Sequence, residues 1–268
     1  MNVRKPFDIQ HQHGFTPVAI FCFMLLYLPI ILLVIYSFNA GSSIAIWEGF
    51  SLKWYESAWE NTQIQEATVR SLIIASCASF IATVAAVMAA LATTRSAAFR
   101  GSKLVFAIIN QPLMVPEIVT AVALLIFFAM IKVATGYTGL WYLIMAHSAF
   151  CIPFAYMPVR ARLQGMDLAL EQAGTDLYGT PTRVFWHITF PQLWPGILAG
   201  AMLAFVISLD DVVITEFVKS AGQDTLPTYM LGQLRRIITP EINAVSTVLL
   251  AISVLLVAGF FFLSNVRK

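Results

Sequence analysis

The chain has 268 residues, of which 59% are hydrophobic and 11% charged, with a mean hydropathy of +0.80. A soluble domain carries about 25% charged residues, so a chain this apolar cannot coat a water-facing surface and reads as an integral membrane protein. Its net charge of +2 gives no electrostatic footprint for nucleic acid, which is not expected as a partner.

Six apolar segments follow one another, at 15–38, 71–94, 104–131, 140–159, 193–215 and 244–264. Each approaches the ~20 residues that cross ~30 Å of hydrocarbon as a helix. None alternates with a period of two, which argues against a β-barrel. The first is longer than the ~7–15-residue core of a signal peptide, and no small-residue cleavage site follows it, so it reads as a retained helix in the lipid bilayer. The expected organisation is a cytoplasmic segment over 1–14, a transmembrane domain over 15–264 and a cytoplasmic tail over 265–268. With both termini in the cytoplasm, Arg4, Lys5, Arg95, Arg100, Lys103, Arg160, Arg162, Arg183, Arg267 and Lys268 fall inside, ten of the sixteen Lys and Arg residues. The positive-inside bias favours that orientation.

The loop at 39–66 carries Trp47, Phe50, Trp54, Tyr55 and Trp59. These suit a short interfacial helix at the headgroups or, alternatively, a contact surface for an extracytoplasmic partner. In the third segment Pro112 and Pro116 precede Glu117. Two prolines break a helix and free carbonyls that only protein or water can satisfy inside a membrane, so this stretch reads as water-lined. Glu117 either forms a structural bridge with Lys132 or an arginine, or lines the same cavity. Cys22, Cys77 and Cys151 lie in apolar segments without ligand spacing and read as small packing residues; no metal site is expected. His147, alone on an apolar segment, is expected to be hydrogen-bonded within the bundle rather than catalytic.

Between the fourth and fifth segments lies a polar island at 160–191. Asp167 can cap a short helix reaching about Leu177, with Leu168, Leu170 and Leu177 as an apolar edge. Gly174 would allow close approach by a partner, and Gly179 would end the helix. Thr180 and Pro181 then start a new helix as N-cap and first residue, and Pro191 and Pro195 bend the chain into the fifth span. This is a docking element, the alternative being a loop lying on the bundle. Within the fifth segment Gly196, Gly200 and Ala204 form a small-residue row for close helix packing. Asp210 and Asp211 end it, each costing roughly 2.5–3.5 kcal/mol at a membrane centre. They read either as a cation path facing a cavity or as a pair capping a helix end. No P-loop, G-x-S-x-G or H-E-x-x-H motif occurs, so the chain is expected to be non-catalytic and to hold no cofactor.

The island also carries a resemblance. Glu171-Gln172-Ala173-Gly174 with Asp176-Leu177, then Gly179-Thr180-Pro181 and Ile188-Thr189-Phe190-Pro191, resembles the "EAA" loop of bacterial ABC importer permeases. Aligned backwards from Pro191, the family's Glu falls on Gln172, its second Ala on Gly174, its Gly on Tyr178 and its Leu on Phe190; Glu171 and Gly179 lie one residue away from the first and third of these. Tyr36-Ser37-Phe38-Asn39, Trp54-Tyr55, Pro116-Glu117-Ile118-Val119, Ser208-Leu209-Asp210-Asp211-Val212-Val213, Leu226-Pro227 and Pro240-Glu241-Ile242-Asn243-Ala244 resemble the spermidine/putrescine permease group within that family.

The resemblance implies an all-α membrane protein of six transmembrane helices with the type I, MetI-like importer permease fold, in a bacterial inner membrane. It implies a second permease chain as heterodimer partner, two ATP-binding cassette ATPase subunits that bind the ATP, and a periplasmic solute-binding protein. It assigns coupling to the ATPase to Glu171, Gln172, Ala173, Gly174, Asp176, Leu177 and Gly179. Asp210, Asp211 and Glu117 would line the path of a polyamine, or of an opine or other amine-bearing solute. A secondary transporter should lack the docking helix and often shows internal repeats, and a channel needs a ring of filter residues.

Overall fold

A computed structural model describes residues 15–43, 46–95, 101–235 and 240–265, with side chains up to residue 259. The N-terminal segment 1–14, Arg100 and the tail residues 266–268 lie outside the described residues. The helices are α1 (Phe15–Tyr36), α2 (Lys53–Glu60), α3 (Thr62–Thr94), α4 (Ser102–Ile109), α5 (Gln111–Met114), α6 (Glu117–Thr135), α7 (Trp141–Gln164), α8 (Leu168–Asp176), α9 (Pro181–Val184), α10 (Phe190–Asp210), α11 (Val213–Val218), α12 (Leu226–Leu234) and α13 (Glu241–Asn265). A π-helical turn, Phe185–Thr189, joins α9 to α10. Among the described residues six helices are long and apolar enough to cross a membrane, and β structure is limited to one isolated bridge, Asn39 with Phe50.

Three segments differ from the expectation: the second begins at Thr62 instead of residue 71, and the third and fifth differ as follows. The third segment does not run unbroken from residue 104: α4 and α5 precede the span, and α6 starts at Glu117 directly after Pro116. The pair of prolines explains this, because each removes a backbone donor. The fifth span starts earlier and ends sooner than 193–215. Its helix runs on through Pro191 and Pro195 and stops at Asp210. The π turn accommodates Pro191, whose missing N–H and bulky ring disturb the α-helical bond to the turn before it.

The chain divides into two compact units, residues 1–61 with 235–252, and residues 62–234 with 253–268. In the first unit Asn39 is fully buried. Its amide donates to the carbonyls of Ser43 and Ile46 and accepts from the N–H groups of Gly41 and Glu48. The Trp54 indole donates to the carbonyls of Asn39 and Gly41, and Phe38 packs on the rings of Phe50 and Tyr55. The short helix expected in this loop is present as α2, but part of its aromatic set builds a local core; Trp59 stays 79% exposed. Cys22 on α1 is exposed, not a packing residue, whereas Cys151 on α7 in the second unit is buried.

The second unit centres on α3, α7 and α10. Helix α3 turns Ile74, Ala75, Ala78, Ala82, Ala86 and Ala90 inward, all fully buried. Hydrophobic burial gives little drive between helices surrounded by lipid, so association relies on close backbone approach and dispersion. The glycine row of α10 provides it. A Cβ at Gly200 would lie 2.6 Å from the Ala155 carbonyl oxygen of α7, and one at Gly196 2.7 Å from the Arg162 Cβ. Ala204 completes the seam, fully buried. Tyr156 of α7 is also fully buried, its hydroxyl 2.9 Å from Thr93 Oγ1 on α3.

The island folds largely as its local chemistry dictates. Asp167 caps α8, its carboxylate accepting from Ala169 N at 2.9 Å, and Thr180 caps α9 with its hydroxyl on Arg183 N. Helix α8 ends in a Schellman motif: Tyr178 N donates to Thr175 O and Gly179 N to Gly174 O. The left-handed residue of this motif is Tyr178, with φ 61°, and not Gly179. Glycine takes that conformation without penalty, whereas a residue with a Cβ loses about 1–2 kcal/mol.

Two stability predictions follow from these contacts. Gly200→Leu forces side-chain atoms into the α7 backbone and should destabilise the protein by about 1–3 kcal/mol, seen as a lower thermal midpoint in detergent; an unchanged midpoint contradicts the seam. Tyr178→Gly relieves the left-handed strain and should raise the midpoint by a few degrees, corresponding to about 1 kcal/mol.

Candidate functional site

Chemistry-bearing residues gather at the two ends of one long helical run, Pro181–Asp210. At roughly 1.5 Å per residue it spans about 45 Å. One end carries α8, the other the acidic pair.

At the α8 end the residues expected to dock divide into two sets. Gln172, Ala173, Asp176 and Leu177 are exposed, and beside them Leu177 and Tyr178 are 82% and 96% exposed. Leu168, Leu170 and Trp186 add further exposed apolar surface. Glu171, Gly174 and Gly179 instead face the chain itself. A Cβ on Gly174 would meet Ile188 Cδ1 at 2.6 Å and Val184 Cγ2 at 3.2 Å, so the close approach it permits is to α9 and the π turn. That corrects the expectation that this glycine makes room for a partner. A Cβ on Gly179 would meet Gly174 O at 2.5 Å. Glu171 Oε1 accepts from Arg95 Nε at the end of α3 at 3.1 Å, and the Nη2 of the same guanidinium lies at 3.1 Å as an ion-pair contact.

At the other end, Asp211 breaks the helix. Its backbone is extended, and its carboxylate caps the first turn of α11 by accepting from Ile214 N and Thr215 N at 3.1 Å each and from Thr215 Oγ1 at 3.2 Å. The Asp211 side chain is 1% exposed. Of the two roles open to the acidic pair, the helix-end cap is the one Asp211 fills, while Asp210 is exposed beside it. His147 of α7, as buried as Asp211, holds the break together. Its Nδ1 lies 2.8 Å from Ser208 Oγ of α10, and its Nε2 lies 2.9 Å from Thr215 Oγ1 and 3.4 Å from Asp211 Oδ2. Each imidazole nitrogen is thus engaged by a hydroxyl, and Thr215 Oγ1 in turn donates to Asp211. The expected hydrogen-bonded role of His147 is what the structure shows.

Glu117 does not pair with Lys132. The two lie at opposite ends of α6, about 22 Å apart along its axis. Lys132 Nζ donates to Val218 O at 3.1 Å and Ser220 Oγ at 3.0 Å, and lies over the Tyr142 ring. Glu117, half-buried, lies close enough to Asp211 for the two carboxyl groups to interact. Two carboxyl groups this close repel unless a proton or a cation lies between them. The structure therefore brings Glu117 and Asp211 together, with Asp210 adjacent in the chain. Outside the spans, Lys219 bonds Asp224 at 2.7 Å and also Glu216. Burial opposes its charge, but the two carboxylates outweigh burial and raise the ammonium above its ordinary range. Among the described residues no group of His, Cys, Asp and Glu could hold a metal ion.

Sequence reasoning missed Arg95, Ser208 and Thr215 as site residues. Each meets its partner only through the fold, and a buried hydroxyl in an apolar segment carries no signal of its own.

A family model described as "Binding-protein-dependent transport system inner membrane component" matches residues 82–267. The putrescine transport system permease protein PotI of Escherichia coli K12 is 35% identical over 250 residues, covering 92% of this chain and 89% of that protein. The spermidine/putrescine transport system permease protein PotC of Haemophilus influenzae is 35% identical over 232 residues, covering 87% and 89%. Among solved structures, a bacterial ABC transporter importing the acidic polysaccharide alginate superposes with a TM-score of 0.71 at 15% identity, covering 93% of both chains. The MetNI methionine ABC transporter superposes with a TM-score of 0.63 at 17% identity, covering 80% of this chain and 98% of its own. At these identities the structural matches speak for the fold alone, the all-α importer permease fold with six spans. By sequence, the chain belongs to the family of binding-protein-dependent transport system inner membrane components.

Proposed function

We propose that this chain is the permease subunit of an ATP-driven importer that carries a polyamine such as putrescine or spermidine. Both termini would lie in the cytoplasm, and the chain would form half of the transmembrane path beside a second permease. The observation that carries the cargo assignment is the acid cluster of Glu117, Asp210 and Asp211 in spans otherwise almost free of charge. The relatives whose printed names include putrescine or spermidine support the same reading.

The chain's own residues divide the work. The exposed face of α8, with Gln172, Ala173, Asp176 and Leu177, offers a docking surface to an ATPase subunit, which binds and hydrolyses the ATP. Closure of the ATPase pair displaces α8. Gly174 holds α8 tightly on α9 and the π turn, so the displacement is passed to the long run ending at Asp210. That run ends beside Glu117, where a diamine or triamine released by a periplasmic binding protein would place an ammonium group. A linear polycation fits carboxyl groups that repel one another when nothing positive lies between them. Asp211 is largely committed to α11, so Asp210 and Glu117 would make the dynamic contacts with cargo.

In vesicles holding the full importer, radiolabelled putrescine uptake should require ATP and an ATPase subunit; uptake without them overturns the assignment. Asp210→Asn should lower uptake roughly ten-fold or more, the effect of one lost charge-assisted bond, with normal assembly. Asp211→Asn should also reduce the amount of assembled protein, because the amide keeps only one acceptor oxygen for bonds that now use both.

A further inference from the structure

Glu171 stands among the residues that the resemblance assigns to the ATPase contact, yet its carboxylate points away from the exposed face of α8. It accepts a hydrogen bond from Arg95 Nε at 3.1 Å, with Nη2 at ion-pair distance, and the two side chains are only 20% and 19% exposed. The pair bridges a cleft of about 350 Å³ lined by Leu91 on one wall and by Leu168, Gln172, Thr175, Val184 and Phe185 on the other. Where α8 meets α9 the packing is tight enough to exclude a Cβ; where α8 faces α3 this ion pair crosses open space. The neighbouring arginines have other partners. Arg160 lies 4.5 Å over the Phe106 ring, and Arg162 Nε donates to Gln192 O.

We propose that Arg95 and Glu171 form the second transmission contact of the docking element, tying α8 to α3, so that both are positioning residues for coupling and neither is an ATPase contact. The inference rests on the permease reading above. Through α9 and the π turn, α8 moves α10; through Arg95–Glu171 it moves α3, the helix packed against both α7 and α10. A partly buried pair resists solvent screening better than a surface one, and a single reversed charge leaves like charges facing across the cleft. Because the pair spans a gap, it can pull α3 while the cleft changes width, which a close-packed contact could not do.

The test uses the complete importer in vesicles with Arg95→Glu, Glu171→Arg, the double exchange, and Glu171→Gln as a milder variant. ATP hydrolysis and radiolabelled putrescine uptake are measured together, with the amount of bound ATPase. The three single variants should keep the ATPase bound and hydrolysing while uptake per ATP falls roughly ten-fold, the usual scale of a coupling energy. The double exchange should recover uptake per ATP to within about two-fold. Loss of bound ATPase in Glu171→Gln, unchanged uptake per ATP in the single variants, or no recovery in the double exchange overturns the proposal. Wild-type vesicles that take up putrescine without ATP overturn the permease reading itself, a result separate from any of these.

Discussion

Two close approaches, Gly200 onto the Ala155 backbone and Gly196 onto the Arg162 Cβ, hold α10 against α7. In lipid this is the form of helix contact that does not depend on expelling water, and the rest of the second unit is arranged around it. With α10 fixed on α7, the alanine stripe of α3 closes the third side. The helical run can then extend past this core in both directions, towards α8 at one end and Asp211 at the other. Each end can be polar because the middle is locked by groups that carry no charge.

The break after Asp210 shows how polar groups are managed inside such a core. Helix α11 has only six residues, too few to persist alone. It is held at both ends by charges matched to its dipole: the Asp211 carboxylate at its first turn and the Lys132 ammonium on the Val218 carbonyl at its last. His147 and Ser208 tie the same junction to α7 and α10. An acid, a base and two hydroxyls thus replace the backbone bonds that an unbroken helix would have made, which is what the interior of a membrane requires of irregular structure.

Much of this was legible in the sequence where the rule is local. Asp167, Thr180 and Pro181 mark helix starts through their own neighbours, and the spacing of Gly196, Gly200 and Ala204 states the packing face directly. The limits of α10 were not legible. Pro191 and Pro195 look like breakers until the π turn is seen, and the hydropathy of Val212, Val213 and Ile214 runs straight through a helix end set by one carboxylate. Arg95 with Glu171, and His147 with Asp211, lie 76 and 64 positions apart, so only the packing of α3, α7 and α10 brings them together. Gly174 shows a subtler gap: its need for space was readable, but not which surface fills that space.

The π turn at Phe185–Thr189 has a consequence for phase. A π turn carries one residue more than the α-helical turn it replaces, and one residue corresponds to roughly 100° of rotation about the axis. Helix α9, on which α8 packs, and the carboxylates near Asp210 lie on either side of that turn in one helical run, so the extra residue shifts the angle between the two ends. The turn acts as an angular offset between the two ends, fixing which way the acids point when α8 faces its partner.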